Sequence, residues 1–109
     1  MRVLFDQGTP VPLRKYLSAH EVVTTFELGW DALTNGDLLL QADREGFQVL
    51  VTTDQNLKYQ QELSSRMIAI VVITTTSWPR IQQFVADVVF TVESATPSSY
   101  AEIPRLNNN

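Results

Sequence analysis

Residues 68–73 read Ile-Ala-Ile-Val-Val-Ile and are apolar at every position. A half-exposed strand would alternate apolar with polar residues, whereas a strand covered on both faces carries apolar side chains throughout. Strands of this kind are typical of parallel sheets, which hold helices on both faces. The run therefore predicts a buried strand of a parallel sheet.

Apolar runs on either side of this segment supply the other predicted strands. Upstream, Gln48–Thr53 predicts the third strand, and Arg2–Phe5 predicts a first strand that runs directly into Asp6. Glu21–Thr25 is rich in β-branched residues and predicts the second strand. Tyr100–Ile103 predicts a short edge strand. We expect a mainly parallel sheet of four or five strands.

Helical patterns alternate with these strands. Helices are predicted at Pro12–Leu17, Leu38–Glu45, Lys58–Ser65 and Ile81–Val92. Asn35 and Ser77 are candidate N-caps, and Gly46 is placed to end the middle helix. Phe26–Leu33 fits neither pattern clearly. The alternation predicts an α/β fold with right-handed crossover connections.

Composition limits the number of domains and the kinds of site that the chain can form. The 109 residues predict one domain over residues 1–106, with a disordered tail at residues 107–109. The chain has no cysteine and one histidine, His20, which excludes disulfides, thiolate zinc sites and multi-histidine metal sites. A net charge of −4 counts against broad electrostatic capture of nucleic acid. With no signal peptide or membrane-length apolar run, we expect a cytoplasmic protein without a membrane partner.

Two aspartates follow predicted strands. Asp6 follows the first strand and Asp54 follows the third, and ligands of open parallel sheets bind outside the carboxyl ends of the strands. If these strands are neighbours, both carboxylates face one crevice, and Asp37 at the start of its helix lies over the same edge. Carboxylates without histidine or cysteine suit Mg²⁺ or Mn²⁺, which act on phosphate groups. Each aspartate can instead serve as an Asx-turn or a helix cap, and for Asp37 the capping role is favoured.

Three ordered motifs carry a family resemblance. They are Val3-Leu4-Phe5-Asp6-Gln7-Gly8-Thr9-Pro10, Gly36-Asp37-Leu38-Leu39 and Val49-Leu50-Val51-Thr52-Thr53-Asp54-Gln55-Asn56-Leu57. This set resembles the PIN-like family DUF5615, whose relatives include the PIN-domain ribonucleases of the VapC toxins. The resemblance implies a PIN-like three-layer αβα sandwich. It also implies Mg²⁺- or Mn²⁺-dependent hydrolysis of RNA, with Asp6, Asp37 and Asp54 holding the metal, and a small antitoxin protein as partner.

Two positions depart from the family pattern. Gln7 stands where the usual Asp-Glu-Asn-x-Pro motif has an acid, and Asn56 stands where Asp-x-Asp-Phe has its second acid. Each amide can still hydrogen-bond a water but removes one negative charge, and fewer carboxylates weaken Mg²⁺ binding. Gln7, Asn56 and Lys58 are assigned as substrate-orienting residues.

Other functions remain open from the sequence. The leading hypothesis is a ribonuclease toxin, and the main alternative is a PIN-like module that binds RNA or protein without cleaving it. A receiver-like phosphoacceptor is disfavoured because Asp6 has no acidic neighbour and no lysine ends a strand. The apolar helix Ile81–Val92, with Phe90 off its main stripe, is explained equally by a homodimer surface and by core packing.

Overall fold

The strands form one sheet in which every neighbouring pair is parallel. The structure is a computed structural model that describes residues 1–57 and 65–104. Its strands are β1 Arg2–Phe5, β2 Glu21–Thr24, β3 Val49–Thr52, β4 Ala69–Ile73 and β5 Tyr100–Ile103. Their order across the sheet is β2-β1-β3-β4-β5, with parallel pairing throughout. The predicted parallel α/β architecture is confirmed.

The apolar run at residues 68–73 forms the buried strand that its composition predicts. All five residues of β4 are buried, and the strand lies between β3 and β5. Leu50 of β3 pairs with Ile70, and Val71 pairs with Ala101 of β5. Because both neighbours and both faces are covered, no position of β4 tolerates a polar side chain without a partner.

Helices cover both faces of the sheet. They are a 3-10 helix Val11–Leu17, α1 Thr25–Leu28, α2 Asn35–Arg44, α3 Trp78–Gln82 and α4 Val85–Glu93. Alternate strand residues point to opposite faces, so Val3 and Phe5 join one core and Leu4 joins the other. The 3-10 helix, α3 and α4 pack on the first core, and α2 packs on the second. The arrangement is compatible with an αβα sandwich.

Several predicted boundaries need correction. The middle helix begins at Asn35 rather than Leu38, and its N-cap is Thr34, whose hydroxyl accepts from the Asp37 N–H at 3.3 Å. Gly46 follows the helix with φ +78°, as a C′ glycine does. Ser77 caps α3 as predicted. The second strand ends one residue early, at Thr24, because Thr24 caps α1.

The single helix predicted over Ile81–Val92 is wrong. The helix is interrupted at Phe84, whose backbone has φ −132°, and α3 and α4 lie on either side of this residue. The apolar stripe nevertheless reaches the core predicted for it, because Ile81, Val88 and Val92 are all buried there. Phe90 is 59% exposed. Periodicity identified the buried face but not the interruption.

Some predictions concern residues outside the described ranges. The helix predicted at Lys58–Ser65 falls almost entirely on residues 58–64, and the disordered tail on residues 107–109. Within the described part of the chain, no helix has both the length and the apolar character needed to cross a bilayer.

Candidate functional site

The site lies where the chain reverses its direction of travel across the sheet. β1 is flanked by β2 on one side and β3 on the other, so the connections after β1 and after β3 leave toward opposite edges. A topological switch point of this kind opens a crevice at the carboxyl ends of the two strands. Asp6 immediately follows β1 and Asp54 follows β3 by two residues. The two strand-end aspartates therefore meet at the place where such folds bind ligands.

Hydrogen bonds fix the orientation of the Asp6 carboxylate. The Asp6 N–H continues the sheet by donating to the Val51 carbonyl at 2.9 Å. Its Oδ1 accepts from the Gln7 N–H at 2.8 Å, and its Oδ2 accepts from the Thr52 hydroxyl at 2.8 Å. One bond thus comes from its own loop and the other from the neighbouring strand.

The Asp54 carboxylate is held in a similar way. Its Oδ1 accepts from the Asn56 N–H at 2.9 Å, which makes an Asx-turn, and its Oδ2 accepts from the Asn35 side-chain amide at 3.2 Å. The Asp54 N–H donates to the Thr52 hydroxyl at 3.1 Å. The turn-forming role considered from sequence is therefore present, and it leaves the carboxylate facing the same crevice as Asp6.

Burial perturbs the protonation of Asp6. Desolvation raises the pKa of Asp6 above its ordinary value, and the nearby charge of Asp54 adds to this effect. The hydrogen bonds from Thr52 and Gln7 act in the opposite direction without cancelling the rise. A carboxylate held in an unfavourable ionised state is stabilised by a cation placed beside it.

The oxygen atoms of this pair fit a hard divalent cation. From the residues that the structure describes, each of the four carboxylate oxygens accepts one hydrogen bond, and a carboxylate has about four lone-pair sites, so each oxygen retains acceptor capacity toward them. Mg²⁺ in phosphate-handling sites is held by one or two carboxylates, with water and substrate oxygens completing its shell. Asp6 and Asp54 supply two carboxylates of the kind that such sites use.

Asp37 does not complete a three-acid group with them. It is exposed in the first turn of α2, and residues 1–57 and 65–104 contain no group of three or more His, Cys, Asp or Glu side chains placed to hold a metal ion. Its helix is nevertheless tied to the site, because Asn35 of the first turn donates to Asp54.

The predicted substrate-orienting residues contact the aspartates through their backbones. The N–H groups of Gln7 and Asn56 donate to Asp6 and Asp54 respectively, and both residues are exposed. Their backbones thus hold the carboxylates in place, and Gln7 also lines the groove beside Asp6. Lys58 lies outside the described residues.

Sequence reasoning missed two residues of the site. Thr52 is fully buried, and its hydroxyl donates to Asp6 and accepts from the Asp54 N–H. The sequence predicts Asn35 as a helix cap, whereas Thr34 is the cap and the Asn35 side chain donates to Asp54. A threonine two residues before a strand-end aspartate is the available signal for Thr52. Nothing in the local sequence distinguishes the role of Asn35 from capping.

Gly8 lets the loop after β1 approach the end of β3. Its φ of +92° lies in the region that favours glycine, and a Cβ at this position would lie 2.9 Å from the Thr53 hydroxyl oxygen. In the same loop the buried Thr9 hydroxyl donates to the Val51 carbonyl at 2.9 Å. These contacts fix the loop that carries Asp6 against the strand that leads to Asp54.

Comparisons with models of protein families, with curated proteins and with solved structures find no match for this chain.

Proposed function

We propose that this protein is a PIN-like, Mg²⁺- or Mn²⁺-dependent ribonuclease that hydrolyses RNA phosphodiesters at the Asp6–Asp54 pair. The observation that carries the proposal is the meeting of two oriented carboxylates, both with spare lone pairs, at the switch point between β1 and β3. The family resemblance of the motifs around them supplies the substrate class.

In this proposal the chain's residues have distinct tasks. Asp6 and Asp54 hold the cation, while Thr52 and Asn35 fix the orientation of their oxygens. Asp37, two residues beyond Asn35, is the exposed carboxylate available to extend the site. A bound Mg²⁺ or Mn²⁺ would supply Lewis-acid chemistry there, which polarises a phosphoryl oxygen and activates water for attack. Gln7 and Asn56 border the substrate phosphate.

A regulatory setting follows from the same resemblance. Relatives of VapC type act as toxins, so we place this chain as the toxin of a toxin–antitoxin pair whose small partner protein covers the carboxylates. Genetic context tests this part separately: a small overlapping upstream reading frame is expected.

Cleavage of a single-stranded RNA with and without Mn²⁺ tests the proposal. Asp54→Asn keeps the side-chain shape but removes one anionic ligand, so we expect metal-dependent cleavage to fall by about 100-fold or more. The matched control is Asp31→Asn, which neutralises an exposed aspartate elsewhere. Equal cleavage by the wild-type and Asp54→Asn proteins would sink the assignment.

A binding module without hydrolysis is the second candidate. The observation that favours it is the absence of a three-acid group in the described ranges, together with amides at Gln7 and Asn56. Titration calorimetry with Mn²⁺ separates the two functions. No heat of binding at millimolar metal, alone and with RNA present, supports the binding module.

A further inference from the structure

A groove opens beside Asp6, on the side of β1 that faces β2. It encloses about 370 Å³ between the loop after β1, the 3-10 helix and α1. Asp6 and Gln7 form one wall, and Val11, Arg14 and Phe26 contribute to the rest. The volume lies within the range of pockets that hold small organic molecules. Because Asp6 belongs to both, the groove is continuous with the carboxylate pair.

Phe26 presents an aromatic ring to solvent at this groove. The residue is 76% exposed, although a phenylalanine of a globular domain is usually buried. Val11, on the 3-10 helix, is 57% exposed. The two side chains give the groove an apolar surface that no described part of the chain covers.

The short helix that carries Phe26 is fixed at both ends. Thr24 and Glu27 form a capping box, with the Glu27 N–H donating to the Thr24 hydroxyl at 3.1 Å and the Thr24 N–H donating to Glu27 at 2.9 Å. Gly29 closes the other end with φ +74°. Glu27 also pairs with Arg14 of the 3-10 helix. The backbone that carries the exposed ring is therefore fixed before any ligand arrives, which lowers the entropy cost of binding.

Of the charged side chains that line the groove, Arg14 and Glu27 pair with each other, and Asp6 leaves one acidic group. The Arg14 guanidinium pairs with Glu27 and donates to the Val22 carbonyl at 3.2 Å. The chain as a whole carries a net charge of −4. Attraction of phosphates thus supplies little affinity here, and a flat, uncharged ring is the ligand chemistry that the groove fits. Nucleobases stack on aromatic side chains in this way, largely independent of sequence.

We infer that the groove binds one nucleobase of a single-stranded RNA, stacked on Phe26, next to the phosphodiester at Asp6 and Asp54. This inference rests on the proposed function, since it names the subsite that positions the substrate. The Gln7 side chain, exposed on the shared wall, has the donors and acceptors to hydrogen-bond the base edge.

The test measures binding without cleavage. A short single-stranded oligoadenylate is titrated into the protein in the presence of EDTA, which removes the divalent metal that cleavage would need, and amide NMR shifts report the dissociation constant. Phe26→Ala is expected to weaken binding about 5- to 150-fold, the range of one lost stacking contact. Phe26→Tyr should bind like the wild type, whereas Phe26→Leu, which keeps an apolar side chain without a ring, should not.

Two controls show whether binding depends on the base of the strand and on this groove of the protein. Phe90→Ala removes another exposed phenylalanine, on α4 away from the groove, and should leave binding unchanged. An abasic strand with the same phosphates should bind far more weakly than the oligoadenylate.

The outcomes separate this inference from the proposed function. Phe26-dependent binding without metal-dependent cleavage supports the base subsite and removes the nuclease. Cleavage that is indifferent to Phe26 overturns the subsite and leaves the nuclease standing. Absence of wild-type binding up to millimolar strand overturns the subsite.

Discussion

The Thr52 hydroxyl joins the two halves of the candidate site. It donates to Asp6 and accepts from the Asp54 N–H, so one oxygen fixes two residues that leave different strands. Its complete burial keeps water from competing for either bond. A valine at position 52 would have the same shape as threonine but could make neither contact. The hydroxyl, rather than the volume of the side chain, therefore connects Asp6 to Asp54.

Asp6→Asn should raise stability in metal-free buffer at neutral pH. Asparagine retains an acceptor oxygen for the Gln7 N–H but not for the Thr52 hydroxyl, and we expect removal of the buried charge and of its repulsion with Asp54 to outweigh that loss. We expect the thermal midpoint to rise by roughly 2–5 °C. Thermal unfolding followed by circular dichroism measures it, with Asp31→Asn as the exposed control.

The pH dependence of this effect has a definite sign. Because the pKa of Asp6 is raised, the folded protein binds a proton more readily than the unfolded chain, and its free energy of unfolding falls as pH rises through that window. The advantage of Asp6→Asn is therefore full above the raised value and vanishes below the ordinary value of 3.8. A constant advantage across this range would contradict the assignment.

Sequence identified the aspartates but not the residues that hold them. Asp6 and Asp54 follow from one rule, that parallel strands end at a common edge, and adjacent strands then bring them together. The roles of Thr52 and Asn35 depend on which side-chain atoms meet across strands and helices far apart in the chain. A single sequence carries no signal for such contacts, and Asn35 before a helix has a local explanation that conceals the distant one.

At the level of elements, buried strands were the most predictable. β3 and β4 are buried at every position, so their composition alone distinguishes them from helices. The short helix α1, which carries Phe26, is not predicted from the pattern of apolar residues, although Thr24-x-x-Glu27 has the spacing of a capping box. The break at Phe84 has no such signature, because an apolar stripe continues through it.

The loop after β1 passes close to Thr53, and a substitution at Gly8 tests how much this close packing contributes to stability. Gly8→Ala combines an unfavourable backbone conformation with a Cβ 2.9 Å from the Thr53 hydroxyl oxygen. We expect it to lower the free energy of unfolding by about 2–3 kcal/mol. Gly29→Ala is the matched control, since Gly29 has φ +74° but a Cβ there would meet no atom within 4 Å beyond its chain neighbours, and the change should cost about 1 kcal/mol.

Chemical denaturation of the two variants measures the difference. Equal losses for Gly8→Ala and Gly29→Ala would show that the approach of the loop to Thr53 contributes nothing beyond backbone conformation.

At the scale of the whole molecule, charge constrains how the proposed RNA substrate could be held. The chain has 8 basic and 12 acidic residues, so few phosphate contacts are available. With one or two such contacts, the slope of log K against log salt for a single strand should be about −1. Oligoadenylate titrations at several salt concentrations measure this slope, and a value steeper than about −3 would show a basic surface in use.

The strand order also links the assembly of the sheet to the assembly of the site. β1 comes first in the chain but lies inside the sheet, and the Thr52–Asp6 bond spans 46 residues. The pairing of β1 with β2 closes a shorter loop, but because loop-closure entropy grows slowly with length the two closures differ by only about 1 kcal/mol. Docking of β3 on β1 both completes the centre of the sheet and brings the carboxylates together. Any partly folded form that lacks this pairing consequently has no ligand site. A cation that binds the native pair would therefore stabilise only the form in which β1 and β3 are already paired.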